Sequence, residues 1–395
     1  MVTFLLIIIY VVFIGLGIPD SIFGAAWPAI YPEFNQPVGN ASFITMMLSL
    51  GTALASFFSA KLINKFGTGP ITAFSTALTA LALLGFALSP SFEWFFLFSL
   101  PLGFGAGAID SALNNYVAVH YNSSHMSFLH CFYGLGVAIS PYVLSFALSS
   151  LRGWRLGYMA VFYIQAGITT LSLIALPLWE KVKQKEPIKQ EVKPITLSIK
   201  QMAKMPAVRM AWLLFFSTCA LEFTCGIWGC TYLVLGQGFS EANAAKFLTL
   251  YYIGIMAGRF ISGLISSKIP AMKIVYVGYS LVGVALLIMV LPLPATVKGL
   301  SLFLIGFGNG PTFPNITYLT PINFGKDISQ SIIGTQMVVC NLGICFMPPI
   351  FGLLAQNVSI FLFPPFLIAM YALMVVSTIF YDKLPKQKSS DLTFD

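Results

Sequence analysis

Charged residues are scarce in this chain. They make up 9% of its 395 residues, while hydrophobic residues make up 57%. Soluble domains usually carry about 25% charged residues, so a soluble fold is excluded. The apolar runs are about 20 residues long, which is the length of one membrane-spanning helix. This length also excludes an outer-membrane barrel, whose strands are roughly 10 residues long and alternate in polarity.

Cysteine and histidine are also few. The six cysteines lie inside apolar runs and form no Cys-x-x-Cys pair, so we interpret them as packing residues and expect no disulfide. His120, His125 and His130 are spaced by five, which turns successive side chains about 140° around a helix. We therefore expect no metal site and no cofactor. No buried Ser-His or His-Glu arrangement stands out, so an enzyme is not expected either.

Apolar runs broken by proline, glycine and charge predict about twelve membrane-spanning helices. They are expected near residues 3–29, 42–63, 71–90, 92–118, 127–150, 157–179, 208–235, 242–266, 272–291, 299–320, 329–355 and 359–381. No basic region precedes the first run, so we interpret it as a span and not as a signal peptide. The expected fold class is an all-α membrane protein made of two six-helix bundles.

The basic residues predict the orientation in the membrane. If the N-terminus is cytoplasmic, sixteen lysines and arginines of the loops and tails fall on the cytoplasmic side. The opposite side then holds only Arg152, Arg155, Lys246 and Lys298. The positive-inside rule thus predicts a multi-pass protein of a bacterial inner membrane with both termini in the cytoplasm. It also explains the net charge of +8 without a nucleic-acid partner.

The chain divides into two similar halves. Residues 180–207 form a polar, lysine-rich stretch, which we interpret as a cytoplasmic linker between bundles at 1–179 and 208–382, followed by a cytoplasmic tail at 383–395. Residues about 203 positions apart match in four places. The matches are Gly103 to Gly107 with Gly306 to Gly310; Gly51, Phe57, Ser59 and Lys65 with Gly254, Phe260, Ser262 and Lys268; Gly136 and Pro141 with Gly343 and Pro348; and Asp20 and Gly24 with Glu222 and Gly226. This pattern predicts a duplicated, pseudo-twofold architecture.

Twelve spans, a parallel duplication and a basic central loop resemble the major facilitator superfamily of secondary transporters. The family's signature loop between spans 2 and 3, Gly-x-x-x-Asp-Arg/Lys-x-Gly, appears here with Lys65 and Gly67 in place. Asn64 replaces the aspartate, so the charge-relay role of that loop is not carried over. The resemblance covers the whole chain and implies transport by alternating access.

The chain more closely resembles the fucose permease-like branch of sugar:proton symporters. The matching segments are Gly107 to Asn114 in span 4, Leu129 to Gly136 in span 5, Glu222 with Trp228 and Tyr232 in span 7, Gly258-Arg259 in span 8, and Phe313-Pro314-Asn315 in span 10. The acidic residue that carries protons in that branch matches Asp110. An amide pair on its span 5 matches His130 and Tyr133, which departs from the pattern.

Four charged residues lie well inside predicted spans: Asp20, Asp110, Glu222 and Arg259. A carboxylate at mid-membrane costs about 2.5–3.5 kcal/mol on insertion scales, so each one needs a partner, water or a proton. We interpret Asp110, Asp20 and Glu222 as proton-coupling candidates that line one central cavity. Arg259 needs an acidic partner, either Glu222 or Asp110, and could act as a gate. Structural ion pairing is the alternative role for these groups.

Polar and aromatic side chains in the spans are the candidates for binding a solute. They are Asn114, His130, Tyr133, Trp228, Asn309, Asn315, Gln336 and Asn341. With carboxylates they suit a polyol, because they offer hydrogen bonds and an aromatic face. The sequence therefore predicts a monomeric symporter of protons and a small polar solute, a sugar or sugar derivative, in the lipid bilayer. The alternative is a proton-driven exporter of amphipathic compounds, since Gly136 to Pro141 partly resembles an element of family antiporters.

Overall fold

A computed structural model describes residues 2–120, 123–183, 197–266 and 268–386. All regular structure within these ranges is helical, which confirms the expected class. The helices are α1 (Val2–Glu33), α2 (Ala41–Phe66), α3 (Thr68–Ala87), α4 (Glu93–His120), α5 (Ser123–Ala147), α6 (Gly153–Ile174), α7 (Leu176–Lys183), α8 (Ile199–Lys204), α9 (Pro206–Thr231), α10 (Glu241–Ile265), α11 (Ala271–Val290), α12 (Ala295–Asn309), α13 (Thr312–Phe324), α14 (Lys326–Asn357) and α15 (Phe363–Lys383).

Eleven helical segments among the described residues are long and apolar enough to cross a membrane. The span predicted at 299–320 differs, because it is divided into α12, with 15 residues, and α13, with 13 residues. Pro311 lies at the division and has no N–H to continue the helical hydrogen bonds. The tenth predicted span is therefore a broken helix.

The described residues form two units by their contacts. The described residues of the first unit lie within Met1–Pro187, Gly226–Ile253 and Gly352–Phe361, and those of the second lie within Ile188–Cys225, Gly254–Phe351 and Leu362–Asp395. In the first unit, the apolar core joins α1, α4, α5 and α6 around Phe13, Ile109 and Leu129. In the second unit, the core joins α9, α11, α14 and α15 around Phe215, Val275 and other apolar side chains.

Part of the predicted linker is ordered against the second unit. Helix α8 begins with a capping box, in which Ser198 and Gln201 satisfy each other's backbone N–H groups. Met202, on the same helix, is 2% exposed and belongs to the core of the second unit. The rest of the predicted linker, residues 184–196, lies outside the described residues.

Glycine crossings in the two units follow the offset of the sequence repeat. A Cβ placed on Gly51 would lie 2.6 Å from the carbonyl oxygen of Leu100, and one on Gly254 would lie 2.3 Å from that of Phe303. The glycines are 203 positions apart, and so are the two carbonyls. A second pair of contacts has the same relation, namely Gly107 with the Thr52 carbonyl and Gly310 with the Ile255 carbonyl. The crossing of α2 with α4 is thus repeated by the crossing of α10 with α12.

Replacing Gly136 by alanine should destabilise the protein. A Cβ there would lie 2.1 Å from the Ile14 carbonyl oxygen, so α1 and α5 must move apart. Overpacking of this kind costs about 1–3 kcal/mol. Gly167→Ala is the matched control, because a Cβ on Gly167 has nothing within 4 Å and both glycines are inside helices. Thermal unfolding in detergent should show a lower Tm for Gly136→Ala alone, and equal shifts in both variants would contradict the crossing.

Candidate functional site

Asp20 and Tyr133 meet where α1 crosses α5. A Cβ on Gly17 would lie 2.3 Å from the Tyr133 carbonyl oxygen, so the two backbones nearly touch. Asp20 lies one turn after Gly17 and faces the same neighbour, since residues three apart share a helix face. The Tyr133 hydroxyl donates a hydrogen bond to Asp20 Oδ2 at 2.6 Å. Two predicted site residues from separate spans are thereby brought together.

Asp110 and Asn114 form a second pair on α4. Asn114 Nδ2 donates to Asp110 Oδ1 at 2.7 Å, as their spacing of one helical turn predicts. Asp20 on α1 and Asp110 on α4 belong to helices that share one apolar core. The first unit therefore holds two carboxyl groups, each hydrogen-bonded by a neutral donor.

These two carboxyl groups have no cationic partner among the described residues. The ion pairs between described residues join Arg155 to Glu33 and Arg259 to Glu222. Protonation of Asp20 or Asp110 would therefore strand no buried cation. A proton-binding site requires a carboxyl group that can be neutralised without leaving a buried cation unpaired.

His130 lies on α5 of the first unit, one helical turn before Tyr133 in the sequence. Its ring makes an edge contact with the ring of Phe13, with 6.1 Å between centroids. His125 lies nearer the N-terminal end of the same helix, where Tyr10 Oη and His125 Nδ1 are 2.9 Å apart. These contacts join each histidine to a different residue of α1.

Glu222 and Arg259 form an ion pair inside the second unit. Arg259 Nη2 lies 3.1 Å from Glu222 Oε1, and the side chains are 15% and 16% exposed, respectively. Asn309 Nδ2 donates to Glu222 Oε2 at 3.3 Å. Glu222 and Asp110 were the acidic partners predicted for Arg259, and in the structure Glu222 lies beside it.

The break between α12 and α13 explains the position of the arginine. In a continuous helix the Gly310 carbonyl would accept a hydrogen bond from the N–H of residue 314, but Pro314 has none. Arg259 Nε donates to this carbonyl oxygen at 3.3 Å instead. A Cβ on Gly258 would lie 2.2 Å from the Phe307 carbonyl, so the crossing is close enough for this bond.

The other candidates of the second half have local partners. Asn315 donates to Ser262 Oγ and to the Pro311 carbonyl, both at 2.7 Å. Gln336 is fully buried and shares a hydrogen bond of 3.3 Å with Thr320. In these positions the amides join helices of the second unit.

Trp228 and Asn341 lie in contrasting environments, one fully buried and the other exposed. Trp228 is fully buried in the first unit, where a Cβ on Gly352 would lie 2.7 Å from its ring. Asn341 is exposed, and its Nδ2 donates to the Met337 carbonyl one turn earlier at 3.0 Å. Contact between Trp228 and a solute would thus require helices to separate.

One expectation about cysteine is wrong. Cys219 on α9 and Cys340 on α14 form a disulfide, and their Cα atoms are 5.6 Å apart. The physical reason is the crossing of these helices near Gly343, where a Cβ would lie 2.6 Å from the Phe216 carbonyl oxygen. Cysteines that are 121 positions apart give no spacing motif, so the sequence could not show this pairing.

Sequence reasoning also missed a group of hydroxyls in the second unit. Tyr279 Oη and Thr378 Oγ1 are 2.9 Å apart, and the side chains of Thr218 and Thr312 lie beside the same phenol. Hydroxyl residues are frequent in apolar helices and usually bond to their own backbone, so they carry little signal alone. The nearness of Thr218 to Asn309, a candidate residue, becomes visible only in three dimensions.

Residues 9–348 match the family described as Major Facilitator Superfamily. An uncharacterized MFS-type transporter, YfkL, of Bacillus subtilis (strain 168) is 23% identical, over 88% of each chain. The glucose/mannose transporter GlcP of the same organism is 25% identical, over 39% of this chain and 38% of its own.

A solved structure has the same fold. It is that of a bacterial homolog to the human lysosomal transporter Spinster, in an inward-facing and occupied conformation, with a TM-score of 0.69 and 12% identity over 96% of both chains. The family match covers most of this chain, and its apolar helices agree with a multi-pass membrane protein. This chain belongs to the Major Facilitator Superfamily and is a transporter.

Proposed function

We propose that this transporter couples the movement of protons to the import of a small polar solute, a sugar or sugar derivative. The observation that carries the proposal is that the carboxyl groups of Asp20 and Asp110 have neutral hydrogen-bond donors and no cationic partner among the described residues. Such a group binds a proton favourably because protonation removes an uncompensated charge from apolar surroundings and leaves its hydrogen-bond donor with an acceptor.

Asp110 is the proposed proton carrier, and Asp20 tunes it. A proton on either group weakens the negative field at the other, so proton binding changes what the site can bind. Glu222 has a different environment, because Arg259 already compensates its charge. Its protonation would release the arginine, and we therefore assign the Glu222–Arg259 pair to a gate of the transport cycle.

The proposed solute contacts follow from the positions of the polar side chains. Asn114 and Tyr133 adjoin the two carboxyl groups of the first unit, and His130 lies on the same helix as Tyr133; we propose that these three side chains supply donors and acceptors for hydroxyl groups. Asn309, Asn315, Gln336, Asn341 and Trp228 are the proposed contacts from the other half. The name of the relative GlcP, a glucose/mannose transporter, supports a sugar as the class to test first.

We further propose that the bundles at 1–179 and 208–382 are the halves that alternate. The linker at 180–207 and the tail at 383–395 would both be cytoplasmic, as the distribution of lysine and arginine predicts. The membrane would be a bacterial inner membrane, and the monomer would be the working unit.

The solute should be identified first by its effect on the stability of the protein and then by its effect on the pH inside proteoliposomes. Sugars, sugar acids and amphipathic drugs are screened by thermal shift on detergent-purified protein. A ligand at 100 times its Kd stabilises the native state by about 2.7 kcal/mol. The best ligand is then added outside proteoliposomes that contain a pH-sensitive dye.

The sign of the pH change separates the alternatives. A symporter brings protons in with the solute, so the lumen should become acidic whichever way the protein is inserted. An antiporter releases protons as the solute enters, so alkalinisation would contradict the proposal and support the efflux function. Acceleration by sodium with no pH change would show that sodium replaces the proton.

A further inference from the structure

A surface groove of about 420 Å³ lies between α5 and α6 of the first unit. Its lining residues are Tyr142, Val143, Phe146, Ala147, Leu156 and Ala160. Tyr142 and Phe146 are 51% and 59% exposed, so the groove opens on the surface of the unit. Beneath it the two helices pack closely, since a Cβ on Gly157 would lie 2.5 Å from Leu144 Cδ1. The groove is therefore apolar and has a closed floor.

The length of the groove matches one leaflet of a bilayer. Its residues belong to two segments that are long and apolar enough to cross a membrane, Phe128–Ala147 and Gly153–Ile174. Ala160 lies eight residues after Arg152, which corresponds to about 12 Å along a helix. The hydrocarbon of one leaflet is about 15 Å thick, half of the bilayer core. The groove thus extends from the ends of the two helices through most of one leaflet.

Arg152 lies at the end of this groove. It immediately precedes α6, and Arg152, Leu156 and Ala160 are spaced by one helical turn, so they share a face of the helix. Its side chain is exposed and, because helical side chains tilt toward the N-terminus, extends beyond the apolar lining. The connection that carries it is a tight turn, in which the Gly153 N–H donates to the Ser150 carbonyl at 3.1 Å. A cation is thereby held where the apolar surface ends.

The charge of Arg152 is not compensated within the described residues. Arg155, the other arginine of this region, forms an ion pair with Glu33, to which the Trp154 indole also donates at 2.6 Å. Arg152 takes part in neither ion pair of the described residues, and the sequence from 142 to 160 contains no acidic residue. The end of the groove therefore attracts an anion.

A phospholipid has the chemistry that fits both parts. Its acyl chain is apolar and its phosphate is the group that a guanidinium binds through two parallel hydrogen bonds. A headgroup with net negative charge suits the uncompensated arginine better than one that carries its own ammonium group. A second copy of this chain fits less well, because a symmetric contact would bring an uncompensated Arg152 from each copy to one interface.

We propose that the groove between α5 and α6 binds one anionic phospholipid, with an acyl chain along the groove and the phosphate at Arg152. The lipid covers Phe146 and Leu156, which the protein leaves exposed. It also supplies the anion that Arg152 lacks among the described residues. The inference does not rest on the proposed solute or coupling ion.

The headgroup contact can be tested by native mass spectrometry of delipidated protein in detergent. Phosphatidylglycerol and phosphatidylcholine with identical acyl chains are added separately, and the first phosphatidylglycerol should bind several-fold more tightly. Arg152→Gln should remove this preference. Arg209→Gln is the matched control and should keep it, because Arg209 is also an exposed arginine, near the start of α9. No preference in the wild type, or an equal loss in both variants, would overturn the proposal.

A second variant tests the acyl chain. Ala160→Phe places a ring in the groove, so the first molecule of either phospholipid should bind several-fold more weakly. Leu173→Phe is the matched control, because Leu173 is 51% exposed on the same helix and lies outside the groove. Lipid binding by Ala160→Phe at the level of this control would show that no chain lies in the groove, and the proposal would fail.

Discussion

Replacing Asp110 by asparagine should abolish proton-driven accumulation of the solute while preserving its exchange. Asparagine keeps the shape of the side chain and can still accept the hydrogen bond from Asn114 Nδ2, but it cannot titrate. The variant therefore resembles the protonated carrier. Proteoliposomes under an inward proton gradient should reach no more than the external solute concentration, whereas equilibrium exchange of labelled solute should continue near the wild-type rate.

The yield of the Asp110 variant should stay close to that of the wild type. Asp110 has no ion-pair partner among the described residues, and Arg259 is paired with Glu222, so the substitution strands no cation. Asp382→Asn is the matched control, because the same change is made to an exposed residue near the end of α15. Concentrative uptake by Asp110→Asn would remove the proposed role, and Asp20 and Glu222 would be tested next in the same assay.

Removing either partner of the ion pair of the second unit should destabilise the protein, and the two substitutions should differ in how much they do so. Glu222→Gln leaves Arg259 charged, since a guanidinium does not lose its proton, with only neutral acceptors, the glutamine amide oxygen and the Gly310 carbonyl, to compensate it. Arg259→Met leaves a carboxyl group that can take up a proton and still contact Asn309. Removing one partner of a buried pair costs about 3–5 kcal/mol, and we expect Glu222→Gln to be the more damaging change.

The double variant should recover most of the stability that the worse single variant loses. With both charges removed no ion is left unpaired, and replacement of a buried pair by apolar groups is often neutral. Unfolding is measured in detergent for the wild type, the two single variants and the double variant. Arg155→Met is the comparison, because its pair with Glu33 is more exposed and should contribute about 1 kcal/mol or less. Additive losses in the double variant would show that the pair is not a coupled unit.

The sequence predicted the helical class and nearly all spans, because hydrophobic length alone specifies a helix that crosses a bilayer. It predicted the span at 299–320 as continuous, since averaged hydropathy hides the effect of Pro311 on one hydrogen bond. The i to i+4 pair of Asp110 and Asn114 was also predictable, because both residues lie on one helix.

Contacts between helices were the part that the sequence could not supply. The sequence allowed two acidic partners for Arg259. Which of them it pairs with depends on a close helix crossing at Gly258 and on the Gly310 carbonyl, which Pro314 leaves without a backbone donor. The disulfide of Cys219 and Cys340 likewise depends on a close crossing of two helices, α9 and α14. The glycines that permit these crossings were visible in the sequence, but their partners were not.

The broken span has a mechanical consequence. An unbroken helix transmits bending stiffly along its length, whereas α12 and α13 meet at a joint where the Gly310 carbonyl lacks its helical hydrogen bond. Arg259 stabilises that joint, because its guanidinium donates hydrogen bonds to both the Gly310 carbonyl and Glu222. If Arg259 moves away from Glu222, the Gly310 carbonyl loses its donor as well, so we expect a change of charge on α9 to loosen the joint between α12 and α13.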